Sequence, residues 1–331
     1  MLNRRQFIGT AAAAGGMLAM PAIAQAGASS IIMAHAVNET HPAHMACVSF
    51  RDALEELVPG AFNVQIFPNR QLGDDKQCLE STMAGTMQAC VASGVLFPLV
   101  TGIPSLDAYQ LPFLVRDYDH FTKLATSEVG QKIMAELEGA GLLGVATVDI
   151  GQRHFATARK PVTRVADFSG LKTRIVAVPL HKEIWETLGT SPIGLPVGEI
   201  YAGLETGLVD ALEINVSSMI SENFWEVAKK FTLTGHYPWH AVTVVNKDYY
   251  NSLPAELQAA VTEAGLRSVA KTMAYTAKQD AEGREFLREK GVEFLTLEDP
   301  DNMRAKIVPL VDKWAGRSPL IAEFVAAARA G

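Results

Sequence analysis

Two arginines stand where the surrounding residues read as strand. Arg174 falls inside the predicted strand at 171–176, and Arg153 follows the predicted strand at 144–149 in the segment Gly151-Gln152-Arg153-His154-Phe155. A guanidinium in such a place is costly to bury without a negative partner. Its planar fork of donors matches a carboxylate through two parallel hydrogen bonds, so an arginine on a strand facing a cleft is a natural anchor for an organic acid. An internal Asp or Glu would satisfy the same charge, and on the residues alone both readings stay open. His35, Asn38, Glu39 and His44 near the first strand, and Tyr237, Trp239 and His240 further on, carry the donors, acceptors and ring faces that a hydroxylated ligand uses. Each is equally at home in ordinary packing. His35, Glu39, His41 and His44 also place four metal-ligand types within ten residues. Pro42 keeps His41 and His44 off one continuous helix and no second cluster follows, so neither a metal nor any other cofactor is expected.

The chain has no G-x-S-x-G nucleophile turn, no G-x-x-x-x-G-K-[ST] phosphate loop and no H-E-x-x-H pair, which points away from enzymes built on those motifs. Its 331 residues, 48% hydrophobic and 20% charged, have a globular composition and a length suited to about two domains. A net charge of −7 gives no cationic surface to draw a phosphate backbone, so nucleic acid is not an expected partner. Residues 1–26 carry Arg4 and Arg5, an apolar stretch from Phe7 to Met20, and a small-residue end, Ala24-Gln25-Ala26. That is the layout of an export signal cleaved near Ala26, with a periplasmic destination. Asn3-Arg4-Arg5-Gln6-Phe7-Ile8 fits a twin-arginine signal, but paired arginines also occur in ordinary ones, and the export route stays open. The remainder has no run of ~18 apolar residues and is not expected to be embedded in a membrane. It carries 27 basic against 36 acidic residues, a net of −9. Cys47, Cys78 and Cys90 permit one disulfide and a spare thiol in an oxidising compartment, but read more simply as three buried small side chains.

The elements that must position these residues alternate between strand and helix. Strands are predicted at 30–36, Phe62–Phe67, 88–93, 144–149, 171–176, 211–215 and 241–246. Helices are predicted at 43–57, after Asp74-Asp75 as far as Gly85, and at 119–139, 179–188 and 197–206. From 254 to 290 one long helical pattern is interrupted only by Gly265 and Gly283. Such alternation predicts an α/β protein of mainly parallel sheets covered by helices. No linker divides the halves, so two lobes joined by several short crossings are expected, in a clamshell that closes on a ligand by hinge bending. After the signal at 1–26, residues 27–150 and 240–279 are assigned to lobe I, and 151–239 and 280–331 to lobe II.

The order and spacing of several short pieces make the sequence similar to the DctP family, the extracytoplasmic solute receptors of TRAP (tripartite ATP-independent periplasmic) transporters. The pieces are Gln71-Leu72-Gly73-Asp74-Asp75, Leu111-Pro112-Phe113-Leu114, Arg153 with Lys160-Pro161-Val162, and Asp167-Phe168-Ser169-Gly170-Leu171-Lys172-Thr173-Arg174. Leu188-Gly189-Thr190-Ser191-Pro192, Glu199-Ile200-Tyr201-Ala202-Gly203-Leu204, Gly207-Leu208-Val209-Asp210, Glu222 to Lys230, Leu233-Thr234-Gly235-His236 and Leu253-Pro254 continue the match over nearly the whole mature chain. The resemblance implies a periplasmic binding-protein clamshell with a long helix spanning both lobes. It also implies a small organic acid, a sugar acid or a dicarboxylate or hydroxy acid, held in the cleft without reaction and delivered to a membrane permease. Arg174 matches the family's main carboxylate-binding arginine, Arg153 an assisting one, and Asp75 a polar position near the ligand in sugar-acid receptors.

Two departures stand out. Val197-Gly198 replaces a segment that carries an aromatic residue in many members, and Glu213-Ile214-Asn215 replaces Glu-Asn-Pro, so that Ile214 occupies the usual asparagine position and either Glu213 or Asn215 is left to substitute for it. The other readings are an exported cofactor- or metal-dependent enzyme, and a clamshell receptor serving an ABC importer or a signalling kinase.

Overall fold

The structure, a computed structural model, describes residues 27–331; the expected export signal lies outside the described residues. Eleven strands form two sheets. The first contains β1 (Ser29–Ala34), β2 (Phe62–Phe67), β3 (Ala89–Ser93), β4 (Leu142–Gln152) and β10 (Pro238–Asn246), in the order β2-β1-β3-β10-β4. The second contains β5 (His154–Thr157), β6 (Lys172–Ile175), β7 (Ser191–Gly194), β8 (Ala211–Ile214), β9 (Lys230–Leu233) and β11 (Glu293–Thr296), in the order β11-β9-β5-β8-β6-β7. Helical crossovers such as Pro42–Leu57 and Asp75–Met83 return the chain to the same end of the sheet, so β1 pairs parallel with β2 and β3. In each sheet one strand runs against this grain. β10 pairs antiparallel with β3 and β4, and β5 with β8 and β9.

Those two antiparallel strands mark where the chain changes sheet. A single residue, Arg153, separates β4 from β5, and residues 234–237 separate β9 from β10. The two crossings are hydrogen-bonded to each other: Arg153 N–H donates to Tyr237 O at 2.9 Å, and His236 N–H donates to Arg153 O at 3.3 Å. The third crossing is the helix Ala255–Glu289, 35 residues long. The helix Pro319–Ala330, expected with 280–331 on lobe II, packs instead on Pro104–Gln110 and on the helices Glu128–Glu136 and Tyr118–Thr126 beside the first sheet.

The core follows strand alternation. On β5, Phe155 joins the large cluster containing Phe168 and Trp185, while its neighbour Ala156 joins a second cluster with Leu212 and Phe231 on the opposite face of the sheet. Cys47, Cys78 and Cys90 are buried free thiols within the large cluster, and burial pushes the Cys78 thiol up to about 12. The single helix expected at 119–139 is broken in two at Ser127, whose Oγ caps the second piece by accepting from Gly130 N–H at 3.2 Å. The helix expected at 197–206 opens with a tight turn, Val197–Glu199, before Ile200–Thr206.

Neither glycine of the long helix interrupts it. A Cβ at Gly265 would lie 2.4 Å from the backbone oxygen of Val145 on β4, and one at Gly283 would lie 2.7 Å from the side chains of Val216 and Ile220. The two positions are notches, one against each sheet's structure, where the helix lies too close for any side chain. Gly265→Ala is therefore expected to destabilise the fold by about 1–3 kcal/mol through overpacking, although alanine favours helix. A thermal melt of the variant checks this; an unchanged or raised melting temperature contradicts the notch.

Candidate functional site

Between the two sheets lies a cavity of about 320 Å³. His35, Asp75 and Ser93 reach it from the first sheet's side, Arg174, Leu195 and Ile214 from the second, and Arg153, Trp239 and Ile150 from the crossings. The helix Val216–Ser221 and its C-cap Glu222 face the first sheet's loops across the gap and bind them. His41 Nε2 and Ser218 Oγ are 2.9 Å apart, Asn38 Nδ2 donates to Ser221 O, and Arg70 donates to Ala36 O at 2.8 Å and to Glu222 Oε2 at 3.1 Å. Sequence reasoning missed Ser218, Glu222 and Arg70, because their partners lie more than 150 residues away along the chain.

Arg174 sits on β6, in register with Ile193 of β7 and Leu212 of β8, so its backbone is fixed from both sides. Its Nε and Nη2 donate to Leu195 O at 3.0 and 2.9 Å. Among the described residues Nη1 has no hydrogen bond and the side chain forms no ion pair. Burial lowers its pKa to about 10, the nearby Glu213 opposing the shift, so the group remains a cation at neutral pH. The internal salt bridge left open for a strand-borne arginine is not the one this residue makes.

Arg153 makes that bridge. Its Nε donates to Glu213 Oε2, its Nη2 to Glu213 O at 2.6 Å and its Nη1 to Asn215 Oδ1 at 3.1 Å. The guanidinium lies 3.9 Å over the Trp239 ring, a cation–π contact. Asn215 is held in turn by donating to Ile150 O at 2.6 Å. Glu213 and Asn215, expected at the ligand, are thus placed behind Arg153 and do not line the cavity; Ile214 between them does, because successive strand residues point to opposite faces. Arg153 lines the cavity with most of its fork already engaged.

Asp75 opens the helix Asp75–Met83 beside a capping box in which Asp74 accepts from Gln77 N–H at 3.0 Å. It lines the cavity, and its Oδ2 accepts from Ser93 N–H at 3.1 Å and Ser93 Oγ at 2.6 Å. Burial raises its pKa, the Ser93 bonds opposing the shift. His35 also lines the cavity, but its Nε2 lies 2.9 Å from His44 Nδ1. Glu39 is exposed and away from the cavity. His240 is buried behind it, with Nδ1 3.0 Å from Gln110 Nε2 and its ring filling the space that a Cβ on Gly94 would take; Tyr237 is buried likewise, stacked on His181. Among the described residues no group of three or more His, Cys, Asp or Glu could hold a metal ion. The run Gly139-Ala140-Gly141-Leu142-Leu143-Gly144 has the spacing of a dinucleotide fingerprint, unnoticed in the sequence. It leads from a helical turn into β4, the reverse of the strand-to-helix order that motif needs.

Two α/β lobes around a cleft, with a strand-borne arginine in its wall, define a solute-binding protein. The family described as bacterial extracellular solute-binding protein, family 7 (DctP), matches residues 33–317, and the chain belongs to it. It is 30% identical over 318 residues to the C4-dicarboxylate-binding periplasmic protein DctP of Rhodobacter capsulatus, spanning 95% of this chain and 93% of that one. To the 2,3-diketo-L-gulonate-binding periplasmic protein YiaO of Escherichia coli K12 it is 30% identical over 269 residues, 81% of each chain. Among solved structures it is similar to a TRAP periplasmic solute-binding protein of Bradyrhizobium sp. bound to α/β-D-galacturonate, with 28% identity, a TM-score of 0.86 and coverage of 91% and 100%. The corresponding protein of Xanthobacter autotrophicus Py2, with bound β-D-galacturonate, gives 27%, 0.86, 91% and 99%. These relatives are binding proteins rather than enzymes, and among the described residues no helix is long and apolar enough to cross a membrane.

The buried charges make two predictions. Glu213→Gln keeps the shape but leaves the Arg153 cation uncompensated, which typically costs about 3–5 kcal/mol; urea unfolding of the variant is expected to show a loss of that order, and an unchanged midpoint contradicts the pairing. Burial holds His35, His41, His154 and His240 near 3, His181 near 4, and His236 well below the ordinary histidine value. Below pH ~6.5 the unfolded chain takes up protons that these folded side chains refuse, so their contribution to stability falls with pH. Asp107 and Asp149, pushed up to about 7 by burial, work in the opposite direction between pH ~4 and 7. The histidines outnumber them, so the melting temperature is expected to be lower at pH 5 than at pH 7; an equal or higher value at pH 5 contradicts their buried neutral state.

Proposed function

We propose that this protein binds a small organic acid in the cavity between its lobes, with Arg174 as the principal anchor for the carboxylate, and hands it unchanged to a membrane permease. The observation that carries the reading is a buried arginine at the cavity wall that, among the described residues, forms no ion pair and leaves its Nη1 without a hydrogen bond. A carboxylate arriving there completes a charge-assisted pair in a site from which water is excluded. Arg153 adds positive potential and the N–H groups not spent on Glu213 and Asn215, and Asp75 offers an acceptor on the facing wall. The contacts of Asn38, His41 and Arg70 with Ser221, Ser218 and Glu222 hold the lobes together over the ligand, and their breakage by hinge bending at the crossings releases it. Lobe I comprises 27–150, 240–279 and the terminal helix Pro319–Ala330; lobe II comprises most of the rest. Export with cleavage near Ala26 places the protein beside the outer face of its permease, as the periplasmic relatives' names support.

Truncating one partner of such a buried pair typically costs ~2–5 kcal/mol. Arg174→Ala is therefore expected to weaken binding roughly 30-fold to several thousandfold with the fold intact, and Arg174→Lys to bind poorly because a point charge lacks the fork. Titration calorimetry on purified protein with a panel of organic acids reads both; affinity unchanged in Arg174→Ala would falsify the anchor.

A further inference from the structure

The polar groups around the cavity are largely spent on one another. His35 meets His44 through Nε2, and only its buried Nδ1 is without a partner among the described residues. His41 accepts from Ala43 N–H through Nδ1 and meets Ser218 through Nε2. Ser93 donates to Asp75, and Glu222 is engaged by Arg70. The rest of the wall is mostly hydrocarbon. Leu96 and Leu99 project from the turn and short helix after β3, and Leu195, Pro196, Val197 and Ile214 from the ends of β7 and β8 on the opposite lobe. Val197 and Ile214 are the two positions at which the sequence departs from the pattern it otherwise resembles. A hydroxyl brought against this wall gives up its water without a partner, which disfavours binding, whereas apolar surface buried there favours it.

A second carboxylate fares no better. The cavity's remaining cation, Lys76, is exposed and lies 3.7 Å from Glu80, while Asp74 and Asp75 set negative charge on the same wall and Glu222, paired with Arg70, lies on the opposite one. From this distribution, and resting on the anchor role of Arg174, we infer that the ligand is a monocarboxylate with a branched aliphatic or aromatic body, rather than a polyhydroxylated sugar acid or a dicarboxylate.

The test is a competition series by calorimetry on the mature protein with 4-methyl-2-oxopentanoate, phenylacetate, D-galacturonate and succinate, repeated on Arg174→Ala and Leu99→Gln. Leu99 is 51% exposed, so its substitution spares the core. The expected result is that at least one of the two apolar acids binds tenfold or more tighter than galacturonate and succinate, that Arg174→Ala abolishes this binding, and that Leu99→Gln weakens it severalfold. Galacturonate or succinate binding as tightly as the apolar acids, with the loss still seen in Arg174→Ala, overturns the inference and leaves the anchor standing. Leu99→Gln without effect on the apolar acid removes the wall from the account and overturns it too. Binding that survives Arg174→Ala, or no binding by any of the four acids, overturns the anchor and the inference with it.

Discussion

A guanidinium removed from water must be surrounded by negative charge, carbonyl dipoles or both, and this molecule meets that constraint twice in different ways. Arg153 is given a carboxylate, a backbone carbonyl, an amide oxygen and an indole face. Arg174, among the described residues, is hydrogen-bonded to the carbonyl of Leu195 alone, with Glu213 acting on it at longer range. The first arrangement closes a structural joint, since Arg153 is the one residue between β4 and β5 and its backbone is bonded to the other crossing. The second leaves a charge at the cavity wall with part of its fork unspent. Two residues of one type, each borne at a strand, thus differ in that Glu213 ion-pairs with one of them and leaves the other turned to the cavity wall.

Much of this could be read from the residue pattern. Apolar runs and alternation located the principal strands, with Phe62–Phe67 matching to the residue, and the strand position of Arg174 was enough to mark it as needing an anion. The short strands β5, β7, β9 and β11 were not visible, because their strand character comes from neighbours in the sheet rather than from a local pattern. Helix breaks were lost for a related reason: Ser127 reads as an ordinary helix residue until its hydroxyl is seen capping the next turn.

The candidate site was harder than the fold because a cavity is defined by direction as well as by residue type. Glu213, Ile214 and Asn215 are consecutive, yet only Ile214 faces the cavity. Likewise Trp239 lines it while His240, one residue on, is packed behind against Gln110 and Gly94. The contacts joining the two walls were out of reach from sequence, because they couple short polar side chains with no local signature. Polar residues near the cleft could serve a ligand's hydroxyls or packing; Asn38, His44 and His240 are hydrogen-bonded within the protein.

The glycine notches of the long helix have a mechanical consequence. Each clamps the rod against a different lobe, and the 17 residues between them, 266 to 282, include no glycine or proline. At 1.5 Å rise per residue that span is roughly 26 Å long, and Ser268, Thr272 and Thr276 lie buried along it. Any swing of one lobe against the other at the two strand crossings therefore also flexes an unbroken rod. Such a leaf spring returns the pair toward one preferred angle once the load is gone, so the resting gape of the molecule is written into the curvature of a single helix.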